Sequence, residues 1–277
     1  MRRLRWSDLA LRKAWTTPLA YLGLALSVAV VLAWDRSALA ATPSGEAQAC
    51  APDLPSCPRY GCAKAGTPEA LIIGLKRTLP TAGQPTVLTL DDFESLQEQA
   101  DKLVGQKKAL NQAARKKLRQ LTTSAGSVSE GDLVQVMAFI IGLPERPNDN
   151  KGESVNCRLK GKANNDFHIP IARRPDDSEF EGVVVEMIPQ NRPDGWTLEK
   201  LRRIAREARP VLIRGQLLYD NLHLVNHDPD NVKGGQPKRF SLWEVHPVSG
   251  FLVCMRDDKT CDPGTADQWT RLENVEK

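Results

Sequence analysis

The sequence predicts a mainly β chain with helices, an α+β fold built on a five-stranded barrel. Three observations predict it. Five segments read as strands: DLVQVMAFIIGL, NNDFHIPIAR, EGVVVEMIP, RPVLIRGQLLYDN and RFSLWEVHPVSGFLVC. Between the third and fourth, Leu198, Leu201, Ala205 and Ala208 recur at helical spacing. Ahead of them, two further apolar stripes suggest a helical hairpin. One helix between strands three and four is the element order of an OB-like barrel.

The chain divides accordingly. Residues 1–40 read as a signal peptide, with a basic start, an apolar run from Leu19 to Trp34, and small residues at Ala38 and Ala40. The apolar run is shorter than the roughly 20 residues of a spanning helix, so cleavage after Ala40 is expected. Membrane contact is expected only if that segment stays uncleaved. Residues 41–68, rich in Cys and Pro, read as an extended arm held by disulfides. In the segment 69–125, Ala70 to Lys76 is a short apolar run of ambiguous type, and Thr86 to Leu90 alternates as a strand. Thr89 and Asp92 form a capping box for a helix over Asp91 to Val104, with Phe93, Leu96, Ala100 and Leu103 on one face. A second helix is expected from Asn111 to Leu121, with Arg115, Lys116, Lys117 and Arg119 on its solvent side.

The barrel occupies 126–255. Its first strand is expected over Asp132 to Leu143. The second comes in two pieces, Val155 to Leu159 and Asp166 to Ala172, around a bulge or small loop. The third runs over Val183 to Ile188, and the helix over Thr197 to Ala208, stopped by Pro210. The fourth strand, Val211 to Tyr219, carries Gly215 in mid-run, the mark of a bulge or sharp bend. The fifth, Arg239 to Val245, is expected to break at Pro247 and to resume at Phe251 to Cys254. The tail, 256–277, shows little that would enter a core.

Charge limits the partners. The formal charge of +4 sits in residues 1–40, where six basic side chains face two acidic ones; the remainder is neutral, 32 against 32. A neutral mature chain has no global field for polyanions, so such binding needs a local patch. All six cysteines, Cys50, Cys57, Cys62, Cys157, Cys254 and Cys261, follow Ala40. An even count in an exported chain reads as disulfides, and at least one is expected to staple the arm to the rest. No C-x-x-C pair occurs, so no zinc site is expected from spacing, and no cofactor is implied. The expected location is exported, periplasmic or extracellular.

The run of DFHIPIA, VVVEMIP, VLIRGQLLYDN and SLWEVHP resembles a group of uncharacterised exported bacterial proteins with an OB-like core, over roughly residues 130–255. The resemblance implies the fold and brings no activity. Staphylococcal-type nucleases share a barrel of this kind, but their D-G-D-T turn and D-T-P-E-like segment are absent. Glu130-Gly131-Asp132-Leu133 is the nearest approach.

The strands carry Asp166, His168, Glu186, Glu244 and His246, with Asp220 and His223 just beyond the fourth. Residues two apart on a strand share a face, which pairs Asp166 with His168 and Glu244 with His246. Carboxylates and imidazoles converging from neighbouring strands can bind a metal or do acid–base work. They also form hydrogen-bonded networks that hold a barrel closed, and that is the role expected here of His168, Glu186 and Glu244. A basic cluster, Arg202, Arg203, Arg206 and Arg214, with Tyr219 as a stacking candidate, is the candidate ligand surface. The expectation is a non-catalytic exported binding or interaction module, its partner a protein or polyanionic ligand. The alternative is a nuclease-like, metal-dependent hydrolase using the acid/His cluster.

Overall fold

The computed structural model describes residues 48–106, 109–142, 144, 150–223 and 238–276. The expected signal segment 1–40, its cleavage point and the start of the arm lie outside the described residues. In chain order come helix α1 (Pro68–Lys76), strand β1 (Thr86–Leu88), helices α2 (Leu90–Leu103) and α3 (Gln112–Arg115), and a small hairpin of β2 (Leu121–Thr123) and β3 (Gly126–Val128). Then follow β4 (Leu133–Ile140), β5 (Phe167–Ala172), β6 (Gly182–Met187), helix α4 (Leu198–Arg206), β7 (Pro210–Tyr219), β8 (Trp243–Cys254) and β9 (Trp269–Arg271).

Five of these strands close a mixed barrel in the order β4-β5-β6-β8-β7, with β7 pairing back onto β4 from Leu133↔Gln216 to Phe139↔Pro210. The β6–β8 pair is parallel and the other barrel pairs are antiparallel. The helix between the third and fourth barrel strands is α4, as the element order predicts. Strand alternation sets the core. Val134 and Val136, Phe167 and Ile169, Val183 and Val185, Ile213 and Leu217, and Trp243 and Val245 all point inward. Full burial of each such side chain is worth about 1.5–3 kcal/mol. Thr197 caps α4 by accepting from the Lys200 amide, and Leu198, Leu201 and Ile204 close one side of the core.

Gly215 lies where expected, at a register shift between β7 and β8. A Cβ there would stand 2.4 Å from the Pro247 carbonyl oxygen, so the bend admits no side chain. Three disulfides, Cys50–Cys62, Cys57–Cys157 and Cys254–Cys261, leave no free cysteine among the described residues. They fit an oxidising compartment. Cys57–Cys157 is the staple expected between arm and barrel.

The structure corrects several local expectations. The arm is turn-rich rather than extended, and the ambiguous apolar run that follows it is α1, capped by Thr67. The second helix of the hairpin is a single turn rather than a run to Leu121. Arg115 turns inward, pairs with Glu130 and donates to the Tyr219 carbonyl, while Leu121 enters β2 opposite Val128. Tertiary pairing overrides local helix propensity there. Val155 to Leu159 is no strand; it begins with a 3-10 turn, Ser154–Asn156. β8 runs unbroken through Pro247, because the offset at Gly215 removes the need for a proline N–H. The tail is also part of the fold: β9 pairs with β8, and Leu272 is fully buried in the main core. Among the described residues no helix is long and apolar enough to cross a membrane.

Candidate functional site

The inward set of β5, β6 and β8 leaves the alternate residues on the outer wall of the barrel. His168 stands directly opposite Glu186. The parallel pairing of Val185 with Val245 then sets Glu186 beside Glu244 and His246. Two loops frame these strands. The β4–β5 connection brings Glu153, Asn156 and Asp166, and the β7–β8 connection brings Asp220, His223 and Arg239. Helix α1 covers the wall. Lys76 Nζ donates to Asp220 Oδ2 at 3.1 Å, and Gln216 Nε2 on β7 donates to the carbonyls of Leu75 and His246 at 2.8 Å each.

All five sequence candidates, Asp166, His168, Glu186, Glu244 and His246, therefore meet in one cluster. His246 Nδ1 lies 2.9 Å from Glu186 Oε2 and 3.4 Å from Glu244 Oε2. His168 Nε2 lies 3.4 Å from both Glu186 Oε1 and Glu153 Oε1. Arg239 pairs with Glu244. Asn156 donates to Asp166 Oδ1 at 2.8 Å and accepts from Gln190. The deep members are fully or almost fully buried. The rim is open, with side-chain exposures of 20% at Glu153, 35% at His168 and 48% at His223.

Burial pushes every carboxylate of the cluster up, and the outcome depends on its neighbours. At Glu186, His168, Lys76 and His246 outweigh burial and hold the acid well below its usual range. At Glu244, burial and Glu186 are overcome by Arg239 and Lys76, and the acid sits at about 2. Asp220 is lowered against burial chiefly by Lys76. Burial opposes the charge on His246, but Glu186 raises it to about 10, so the ring is an imidazolium at neutral pH. Glu153 and Asp166 behave oppositely. Burial and neighbouring carboxylates, Glu186 for the first and Glu153 for the second, carry both to about 7.

Lys76, Glu153, Asn156 and Arg239 belong to the cluster without having been candidates. Arg239 had a faint signal, a cation five residues before Glu244 at the start of a strand. Lys76 ends a short helix more than a hundred residues away, and nothing local links it to Asp220.

The basic candidates gather only in part. Arg202 donates to the Pro144 carbonyl, Arg203 to the Glu276 carbonyl, and neighbouring Lys200 to those of Leu272 and Glu273. These three cations tie down loops and tail. Arg206 is exposed and shares a cavity of about 410 Å³ with Lys200 and Arg203. Arg214 lines a different one of about 400 Å³ with Trp196 and Phe251. Tyr219 is no stacking platform. Alternation along β7 turns it inward, where its ring packs 5.2 Å from that of Trp243.

Searched against protein-family models the chain matches none, and a search of curated proteins finds no match.

Proposed function

We propose that the chain is an exported, non-catalytic binding module whose ligand engages the outer wall formed by β5, β6 and β8. One observation carries this reading. OB-type barrels bind ligands on the face of their second and third strands, between the first-second and fourth-fifth loops, and the acid/His cluster occupies that place. Its disulfides support export. The ligand it suits is a small cation rather than a polyanion. Carboxylates dominate the wall, and Lys76 already seats an ammonium beside Asp220. Glu153, His168 and His223 form the accessible rim.

The test is calorimetry of the mature, disulfide-bonded chain with spermidine, heparin and a neutral oligosaccharide. Spermidine is expected to bind the wild type and to bind at least tenfold more weakly to Glu153→Gln and Glu153→Ala. Binding of heparin alone, indifferent to both substitutions, overturns the reading.

A second reading, metal-dependent phosphodiester hydrolysis, is favoured by a single feature: Glu153 and Asp166, side by side, are poised near neutral pH beside His246. Turnover of bis(p-nitrophenyl) phosphate with added metal, abolished by Asp166→Asn, would establish it in place of the binding reading.

A further inference from the structure

We propose that Asp166 and His246, with Glu186 holding the imidazole, form a site for one divalent transition-metal ion of the zinc kind, on the outer wall beneath α1. The inference rests on reading that wall as the binding face, and it names an ion for it.

Two buried atoms point to the ion. Among the described residues, Asp166 Oδ2 and His246 Nε2 have no hydrogen-bond partner, and both residues are fully buried. An orphaned buried carboxylate oxygen and ring nitrogen are each costly. They face one another at 3.8 Å, too far for a hydrogen bond. Two ligands of one tetrahedral zinc stand about 3.3 Å apart, so a closure of about half an ångström would seat an ion between them.

The surroundings agree. A metal-bound imidazole presents one nitrogen to the ion and hands its other N–H to a carboxylate, which fixes the ring. His246 Nδ1 is held in that way, 2.9 Å from Glu186 Oε2 and 3.4 Å from Glu244 Oε2. Asn156 holds the other oxygen of Asp166 at 2.8 Å. One ligand atom each from Asp166, Glu186 and His246 lies within 4.8 Å of the others, with Glu186 on the Nδ1 side of the ring, where it orients the imidazole. His168 and Glu153, both partly exposed, lie at the rim beside Glu186. An imidazole nitrogen facing a carboxylate oxygen suits zinc better than the all-oxygen shells of calcium and magnesium. Binding would displace the Nε2 proton of His246, as imidazole coordinates in its neutral form.

Two neighbouring groups are not sites. Glu186, Asp220 and Glu244 also converge, but Lys76 and Arg239 fill that space with their own charges. Cys50, Cys62 and Cys157 lie together with their sulfurs consumed in disulfides.

The experiment is metal titration of the mature, disulfide-bonded chain after chelator treatment, read by calorimetry and by elemental analysis after gel filtration. Wild type is expected to retain one zinc per chain. Asp166→Asn, which preserves shape and the Asn156 contact, and His246→Gln are expected to weaken binding at least a hundredfold. No retained zinc in wild type, or zinc binding unchanged in Asp166→Asn, overturns the site. Should His246→Gln fail to fold, Asp166→Asn decides alone. A chain that takes no zinc yet binds spermidine through Glu153 loses the metal site and keeps the binding face. Zinc bound through Asp166, with spermidine binding absent, keeps the metal site and rejects the cationic ligand.

Discussion

Glu186 shows at a single residue how the wall is held together. Its two oxygens serve His246 and His168, and Lys76 lies close enough to stabilise its charge. Removing the side chain strands buried positive charge. Glu186→Ala is therefore expected to destabilise the metal-free chain by about 1–3 kcal/mol or more. Glu186→Gln keeps the shape and one acceptor and should cost less. Denaturant melts in chelator check the order, and equal losses in the two variants would contradict it. Asp92 offers a cleaner pH signature, away from the cluster. Its carboxylate accepts from the amide and hydroxyl of Thr89 and from the amide and hydroxyl of Ser124, at 2.6–2.8 Å. Burial raises this acid, and those four bonds outweigh it and lower it below 3.8. A depressed acid stabilises the fold above its unfolded value and loses that contribution as pH falls through the folded value. The wild type should lose stability below about pH 4 more steeply than Asp92→Asn. Parallel pH–stability curves for the two proteins would refute the assignment.

Among the elements, β8 joins the core to the cluster. Its inward residues, Trp243 and Val245, pack the barrel while Glu244 and His246 between and beyond them face the wall. That arrangement depends on the offset opposite Gly215, which lets Pro247 pass without its missing donor. Gly215→Ala forces a methyl against the Pro247 carbonyl at 2.4 Å and Val248 Cα at 3.0 Å. Relief must come from backbone movement, and a loss of about 2 kcal/mol or more is expected in thermal unfolding. A variant as stable as wild type would show that the two strands slide freely there. Tail and helix form another joint. Trp196 Nε1 donates to Glu273 at 2.8 Å, and Leu272 fills the core beneath. Leu272→Ala is expected to cost about 2–5 kcal/mol, read in the same assay. A negligible loss would put the tail outside the cooperative fold.

At the scale of the whole molecule, the Cys57–Cys157 bridge holds the cover on the wall. It joins the arm to the loop that carries Asn156 and Glu153, across a separation of 100 residues. Replacing both cysteines by serine should cost about 2–5 kcal/mol. It should also loosen α1, so that amide hydrogen exchange in 68–76 rises more than in β5 or β6. Unchanged exchange in α1 would show that Lys76 and the buried Ile72 and Ile73 hold the cover without the bridge.

Much of this was legible in the residues themselves. A strand has period two, so the alternation in DFHIPIA and VVVEMIP determined which side chains face the core and which acids and histidines share the wall. The apolar stripes placed α2 and α4, the cysteine count implied disulfides, and Gly215 marked the bend. These are local properties, set by backbone geometry within a few residues. Tertiary structure decided the rest. Arg115 turned inward to Glu130, Pro247 stayed within a strand because its partner is offset, and the tail became β9. Lys76 and Arg239 came to neutralise acids set far from them in the chain or across a loop. Each outcome is a choice of partner beyond the reach of local backbone geometry. Burial makes such a choice decisive by penalising any charge left alone, and no periodicity in the sequence encodes which distant residue will meet it.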